Sequence, residues 1–269
     1  MFKNFLFFLV VLFTFIFPLH FQNSFALEPI PITASSGLEN IIFDGKWSSN
    51  TEWKPTSYTP LRYEDNSQIY LRIAHQENFI YVHVNVPTDK TIDKGADSAI
   101  ICFDTLNDKT TIPSSDDYCF STTIDGKNSF TYQGNSVPAI NGYFKKIPNH
   151  QDFIAIGTAS DNFDRYSNTP HASYEFKIPL ELLGRSNNYG FYFSVFDAHT
   201  QTHYSWPYSI EKQSVISISS PSQWGDLISP DKSLPEFNSM ILLSLFFPLS
   251  VTLFLFSKSE LFRSFTYKK

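Results

Sequence analysis

Methionine and cysteine are nearly absent from this 269-residue chain, which has two of each. The methionines are Met1 and Met240, at opposite ends, so the middle of the chain has none to offer as an axial ligand, and a His/Met haem site is excluded. No C-x-x-C-H occurs, which excludes covalent haem, and no C-x-x-C or Cys/His cluster suggests zinc. Also missing are the G-x-S-x-G elbow, H-E-x-x-H, G-x-G-x-x-G and the Walker loop, so the chain is not expected to be an enzyme. Only the paired carboxylates of a glycosidase stay open, because their separation belongs to the fold and leaves no spacing in the sequence. There is no N-x-[ST] acceptor, internal repeat or charge run. With 42% hydrophobic residues and a formal charge of −6, bulk disorder and a basic nucleic-acid binder are excluded, and no nucleic acid is expected as a partner.

Phenylalanine is abundant, but nine of the 28 lie in residues 1–26 and seven beyond Glu236. Lys3 precedes an uncharged run from Phe5 to Leu19, and Ser24-Phe25-Ala26 offers small residues where a signal peptidase reads. Residues 1–26 are therefore read as a secretory signal. The alternative is an uncleaved anchor, for which the run is shorter than the roughly 20 residues a crossing needs. Residues 238–257 carry no charge and, at about 1.5 Å per residue, would cover a hydrocarbon core of about 30 Å as a transmembrane helix kinked at Pro248. The tail 258–269 carries Lys258, Arg263, Lys268 and Lys269 against Glu260, which keeps it in the cytoplasm. A single-pass membrane protein with residues 27–236 facing outward is expected. That outer part holds fifteen Lys and Arg against twenty-five Asp and Glu, so it repels anionic lipid and has carboxylates available for calcium. Pro235-Glu236-Phe237 stands just before the anchor, and this plan resembles the PEF-CTERM sorting signals of archaeal surface proteins. The resemblance implies a membrane sorting transpeptidase as a partner, although Asn238 replaces the Gly common after the Phe and the tail is long.

Between the ends, residues 27–40 read as a lead-in, 41–228 as one domain, and 229–237 as the last part of a Ser- and Pro-rich tether. Strand signals dominate the domain: 68–75, 78–86, 97–104, 117–124, 128–133, 153–159, 172–178 and 190–198 are short, β-branched or aromatic, and bounded by turn formers. Alternation puts Ile80, Val82, Val84 and Val86 on one face of their strand, and Ile69, Leu71 and Ile73 inward on its hairpin partner, with His75-Gln76-Glu77-Asn78 as the connection. Only residues 179–184 look helical. An all-β, antiparallel β-sandwich follows.

Five segments stand in order: Ile42-Phe43-Asp44-Gly45 with Trp47 and Trp53; Leu71-Arg72-Ile73-Ala74 with Phe79-Ile80-Tyr81-Val82; Asp97 to Asp104; Tyr174-Glu175-Phe176-Lys177-Ile178-Pro179-Leu180; and Phe191 to Asp197 with Trp206-Pro207. Together they are similar to the family 9 carbohydrate-binding modules and the related DOMON-like domains. The resemblance implies a jelly-roll-like sandwich, often calcium-bearing, that binds sugars without cleaving them. Relatives that bind haem make a haem-binding electron-transfer domain the alternative, with ligands among His75, His83, His150, His171, His199 and His203. A structural or adhesive surface protein is a third reading.

Candidate chemistry falls in three places. Asp104, Asn107, Asp108, Asp116 and Asp117 flank one turn, and such hard oxygens suit Ca²⁺, although Asp and Asn are also ordinary turn formers. Cys102 and Cys119 lie on the strands either side of that turn, and an even count in an exported chain favours a disulfide over two buried thiols. Sugar recognition needs flat rings and planar polar groups on one surface. Tyr70, Arg72, Tyr81 and His83 share the non-core side of one hairpin, and Glu175 and Lys177 share the outward parity of theirs. These, with Trp206, form the candidate surface for an extracellular saccharide or cell-envelope polymer, unless a loop covers the face. Trp47, Trp53, Trp206 and Trp224 can each be platform or core.

Overall fold

A computed structural model describes residues 28–124, 128–139, 142–212, 218–232 and 234. The signal 1–26, the span 238–257, the tail and Pro235-Glu236-Phe237 lie outside these residues. Among those described, no helix is long and apolar enough to cross a membrane.

Strands follow one another with little between them: β1 (Ile30–Pro31), β2 (Thr33–Ala34), β3 (Ser57–Arg62), β4 (Gln68–Gln76), β5 (Phe79–Val86), β6 (Ser98–Asp104), β7 (Asp117–Thr123), β8 (Ser129–Ala139), β9 (Gly142–Ile147), β10 (Ile154–Ala159), β11 (Ala172–Pro179), β12 (Asn188–Asp197), β13 (Thr202–Trp206), β14 (Ser209–Lys212) and β15 (Gly225–Ile228). A single helical turn, α1 (Leu180–Leu183), sits where the sequence places one. A nine-stranded sheet runs β1-β15-β12-β6-β7-β8-β9, with β13 and β14 added beside β12. A six-stranded sheet runs β10-β11-β5-β4-β2, with β3 also on β4. All strand pairings are antiparallel except the short β1–β15 and β2–β4 pairs.

The alternation resolves as expected. Ile69, Leu71, Ile73, Ile80, Val82, Val84 and Val86 are buried and meet Ile101, Phe103, Phe191, Phe193 and Val195 of the facing sheet in one core. Each such side chain contributes about 1.5 to 3 kcal/mol by leaving water. The hairpin connection is tighter than its sequence suggests, since His75 and Gln76 still pair with Ile80 and Phe79, and Glu77 makes the turn at φ 52. The lead-in 27–40 also differs from expectation. Residues 30–34 pass from one sheet to the other, and Ile30 and Ile32 are buried. At the other end, Ser229 and Leu234 of the expected tether are buried.

Cys102 and Cys119 are directly paired across β6 and β7 and form a disulfide. It closes a loop of sequence separation 17, and its loss should cost about 3 kcal/mol. A reductant should therefore lower the melting temperature by about 6 to 12 °C, and an unchanged melting curve would contradict this.

Candidate functional site

The side chains of Tyr70, Arg72, Tyr81 and His83 leave the β4–β5 hairpin on the side away from the core, and Arg72 and His83 are register partners. That side is covered. Leu38, Ile41, Trp47 and Trp53 lie across it and cluster with Ala74 and Tyr81. The Arg72 guanidinium sits 5.0 Å from the Trp47 ring and 4.9 Å from the Tyr58 ring. Its Nη1 donates to the Trp53 carbonyl at 3.1 Å and its Nε to the Tyr166 hydroxyl at 2.6 Å. His83 is fully buried, stacked on Trp53 at 5.2 Å, with Nε2 3.1 Å from Ser173 Oγ. Burial first, then the charges of Arg72 and His171, hold its pKa down at about 3, so it is neutral. Tyr70 is half-buried against Tyr166, ring centres 4.1 Å apart. Trp206 belongs to the other sheet and is core, packed on Phe191.

The expected ligand surface is thus corrected: its members neither all meet nor open to solvent. A period of two decides on which side a residue leaves a sheet. What lies over that side comes from segments distant in sequence that have no period of their own.

Glu175 pins this cover. On β11 opposite His83, its Oε2 accepts the N–H groups of Asp44 and Gly45 at 3.0 and 2.8 Å, and its Oε1 accepts Trp53 Nε1 at 2.9 Å. Burial raises its pKa well above the usual carboxylate value, against the Gly45 N–H and the Trp53 indole, which lower it. Gly45 has φ +87, and a Cβ there would lie 2.9 Å from Thr158, so only glycine lets this turn approach the sheet. Glu52 ties the cover to itself, accepting from the Ile42 and Ser48 N–H groups at 2.8 Å each. Two of the segments singled out in the sequence, 42–53 and 174–180, therefore form one hydrogen-bonded unit that closes a face.

Open ground lies where β13 turns into β14, and another cavity of about 340 Å³ is lined by Phe79, His150, Glu181 and Arg185. Trp206 is followed through a cis peptide by Pro207, and Tyr208 at the tip is 53% exposed. Tyr208 stands edge-on to Tyr63 at 5.7 Å, and Tyr63 to Tyr204 at 5.1 Å. Tyr63 donates to the Ser205 carbonyl at 3.0 Å and Tyr204 to Asp65 at 2.9 Å, so the supporting rings are held at both ends. A cavity of about 320 Å³ is lined by Arg62, Tyr63, Glu64 and Tyr208. A second, of about 390 Å³, is lined by Tyr192, Ser205, Tyr208, Glu211 and Gln223. Its Tyr192 wall stacks on Trp224 at 6.1 Å, and Trp224 Nε1 donates to the Ser219 carbonyl at 2.9 Å. A ring shared by two cavities, each with planar polar groups, can cover the C–H face of a pyranose while carboxylate, amide or guanidinium groups take its hydroxyls. The sequence had pointed to Trp206 two residues earlier. A tyrosine following proline between two strands was the available signal for an exposed ring.

The acidic turn does gather. Carboxylate oxygens of Asp104, Asp108 and Asp116 lie within 4.8 Å of one another, and Asp117 is the register partner of Asp104. Asn107 Oδ1, Asp116 Oδ2 and Asp117 Oδ1 are buried without a hydrogen-bond partner, which fits a hard cation. Burial, and after the opposing Ser114 N–H the charge of Asp104, push Asp117 up to about 7. Asp104 also accepts from the Asp108 and Lys109 N–H groups, and Asn107 Nδ2 donates to Asp226 at 3.2 Å.

Two facing sheets, antiparallel but for two short pairs, define the class as a β-sandwich. No family model matches the chain, and no curated protein does. Two solved structures of a family 9 carbohydrate-binding module from Caldicellulosiruptor kristjanssonii are similar to it. The complex with cellotriose is 16% identical with a TM-score of 0.46, and the complex with glucose is 14% identical with a TM-score of 0.47. Each match covers 78% of this chain and 100% of the module.

Proposed function

We propose that the protein is a non-catalytic, surface-anchored module that recognises a saccharide or cell-envelope polymer at the two cavities that Tyr208 lines. The observation that carries this reading is the half-exposed Tyr208 ring, which lines two cavities. Rigid aromatic support and mixed planar polar groups are what pyranose recognition requires. The sequence supports the placement: a secretory signal in 1–26, a membrane span in 238–257, a basic tail, and Pro235-Glu236-Phe237 where a sorting transpeptidase would act. Calcium held by Asp104, Asp108, Asp116 and Asp117, with Asn107, would brace the β6–β7 turn.

The test is calorimetric titration of the full-length protein in detergent with glucose and cellotriose, beside a glycan array. Binding is expected, weakened about tenfold or more in Tyr208→Ala, as loss of one stacking ring implies. Equal affinity in Tyr208→Ala would move the site elsewhere. Silence across the array would leave a structural or adhesive role.

A further inference from the structure

The last described residues fasten the chain to one end of the sandwich. The Ser229 N–H donates to the Asn187 carbonyl at 2.9 Å, and Asp231 accepts from the Ser229 hydroxyl at 2.7 Å and from the Ala34 N–H at 3.2 Å. Leu234 is fully buried in the core, and Arg185 Nη1 donates to its carbonyl at 3.2 Å. Arg185 in turn donates through Nη2 to the Glu77 carbonyl and, at 3.0 Å, to Asn78 Oδ1. This end therefore carries the β4–β5 turn, α1 and the start of β12. Residues 235–237 alone separate Leu234 from the uncharged run that starts at residue 238. At no more than about 3.6 Å per residue, the steps from 234 to 238 reach at most about 14 Å, and the headgroup layer takes up roughly 5 to 8 Å of that.

Another part of the chain marks the same end. Asp104 is the register partner of Gly190, near the start of β12, so the β6–β7 turn that follows it lies there too. On that turn Leu106 is 72% exposed and Ile112 46%, two large apolar side chains left uncovered. The cavity lined by Phe79, His150, Glu181 and Arg185 lies at this end as well and offers polar groups of both signs. The Tyr208 site is elsewhere. Tyr63, which supports that ring, donates to Ser205, and Ser205 pairs with Ser194, six residues along β12 from Asn188 and so about 20 Å away.

We propose that this end, with α1, Arg185 and the β6–β7 turn, rests on the lipid surface of the membrane that residues 238–257 enter. The placement depends on that segment being a span. Given the span, the anchorage at Leu234 leaves too little chain for the domain to turn its far end toward the lipid. Leu106 and Ile112 then leave water at the interface, as the apolar side of an interfacial segment does. The outer part carries twenty-five acidic against fifteen basic residues, so the surface it meets is one without net negative charge. The Tyr208 cavities stay clear of the lipid, open to ligands outside.

The test puts one fluorophore at a time on the full-length protein, through Leu106→Cys, Glu181→Cys or Lys90→Cys. All three positions are exposed, and Lys90 follows the opposite end of β5 from the β4–β5 turn. The native cysteines are buried in their disulfide and do not compete for the label. Each protein is reconstituted into phosphatidylcholine vesicles carrying a nitroxide on the headgroup and recovered by flotation. The labels at 106 and 181 should be quenched several-fold more than the label at 90. Equal quenching at the three positions in protein that floats, or stronger quenching at 90, overturns the placement and leaves the span standing. Protein that does not float with the vesicles overturns the span and the placement together. The saccharide reading is untouched by either result, since Tyr208 decides that one.

Discussion

Glu175→Ala should destabilise the fold by about 3 to 5 kcal/mol, among the largest effects a single substitution produces here. The substitution strands three donors at once, the N–H groups of Asp44 and Gly45 and the Trp53 indole, in a place water does not reach. Residues 36–56, the cover over the six-stranded sheet, have no strand pairing; beside burial of Leu38, Ile41, Trp47 and Trp53 and the Arg72 bond to the Trp53 carbonyl, Glu175 is the group that accepts three of their donors. A fall in melting temperature of about 6 to 20 °C is expected, with a red shift of tryptophan fluorescence as Trp47 and Trp53 meet solvent. Glu175→Gln keeps one acceptor oxygen and should cost about 1 to 2 kcal/mol. An Ala variant melting within about 2 °C of wild type would show that the cover is held by its other contacts without Glu175.

Acid should act through His83. Its pKa in the folded protein is about 3, because burial, Arg72 and His171 all oppose protonation, while the unfolded chain has the ordinary value near 6.5. Between those values the unfolded chain takes up a proton that the folded one refuses. The stability this group contributes is therefore complete above about pH 6.5 and is lost as pH falls toward 3. From pH 7 to pH 4 the loss amounts to about 3 kcal/mol. Glu175 moves in the opposite sense, since an acid with a raised pKa favours the folded state at lower pH. The comparison to make is therefore wild type against His83→Gln, which retains a partner for Ser173. The gap in stability between the two should change by about 3 kcal/mol between pH 7 and pH 4, in favour of the variant in acid. A gap independent of pH would mean that His83 titrates normally.

Much of the scaffold was legible because its signal is local. The β4 and β5 strands alternate aliphatic residues, Ile69, Leu71 and Ile73 on one and Ile80, Val82, Val84 and Val86 on the other, and that pattern alone names the core side of both. The turn between β6 and β7 was legible as well, since Asp104, Asp108, Asp116 and the two cysteines bracket it in the chain and meet across it in space. The short strands β1 and β2 were not, because two-residue pairings leave no period to read, and their place depends on partners nearly 200 residues away in one case.

The candidate site shows the same division. Residues 70, 72, 81 and 83 were correctly placed on one side of a hairpin, yet Trp47 and Trp53 arrive from another part of the chain and turn that side into interior. Asp89, Asp97 and Asp197 lie up to 108 positions apart and look like unrelated turn residues until the sheets stack. By itself the sequence determined the all-β class, the inward sets of β4 and β5 and the cysteine pair, since each follows from neighbours along the chain. Tertiary structure decided which face is closed, that Tyr208 is exposed, and which carboxylates come together, because exposure and proximity depend on segments that only packing brings together.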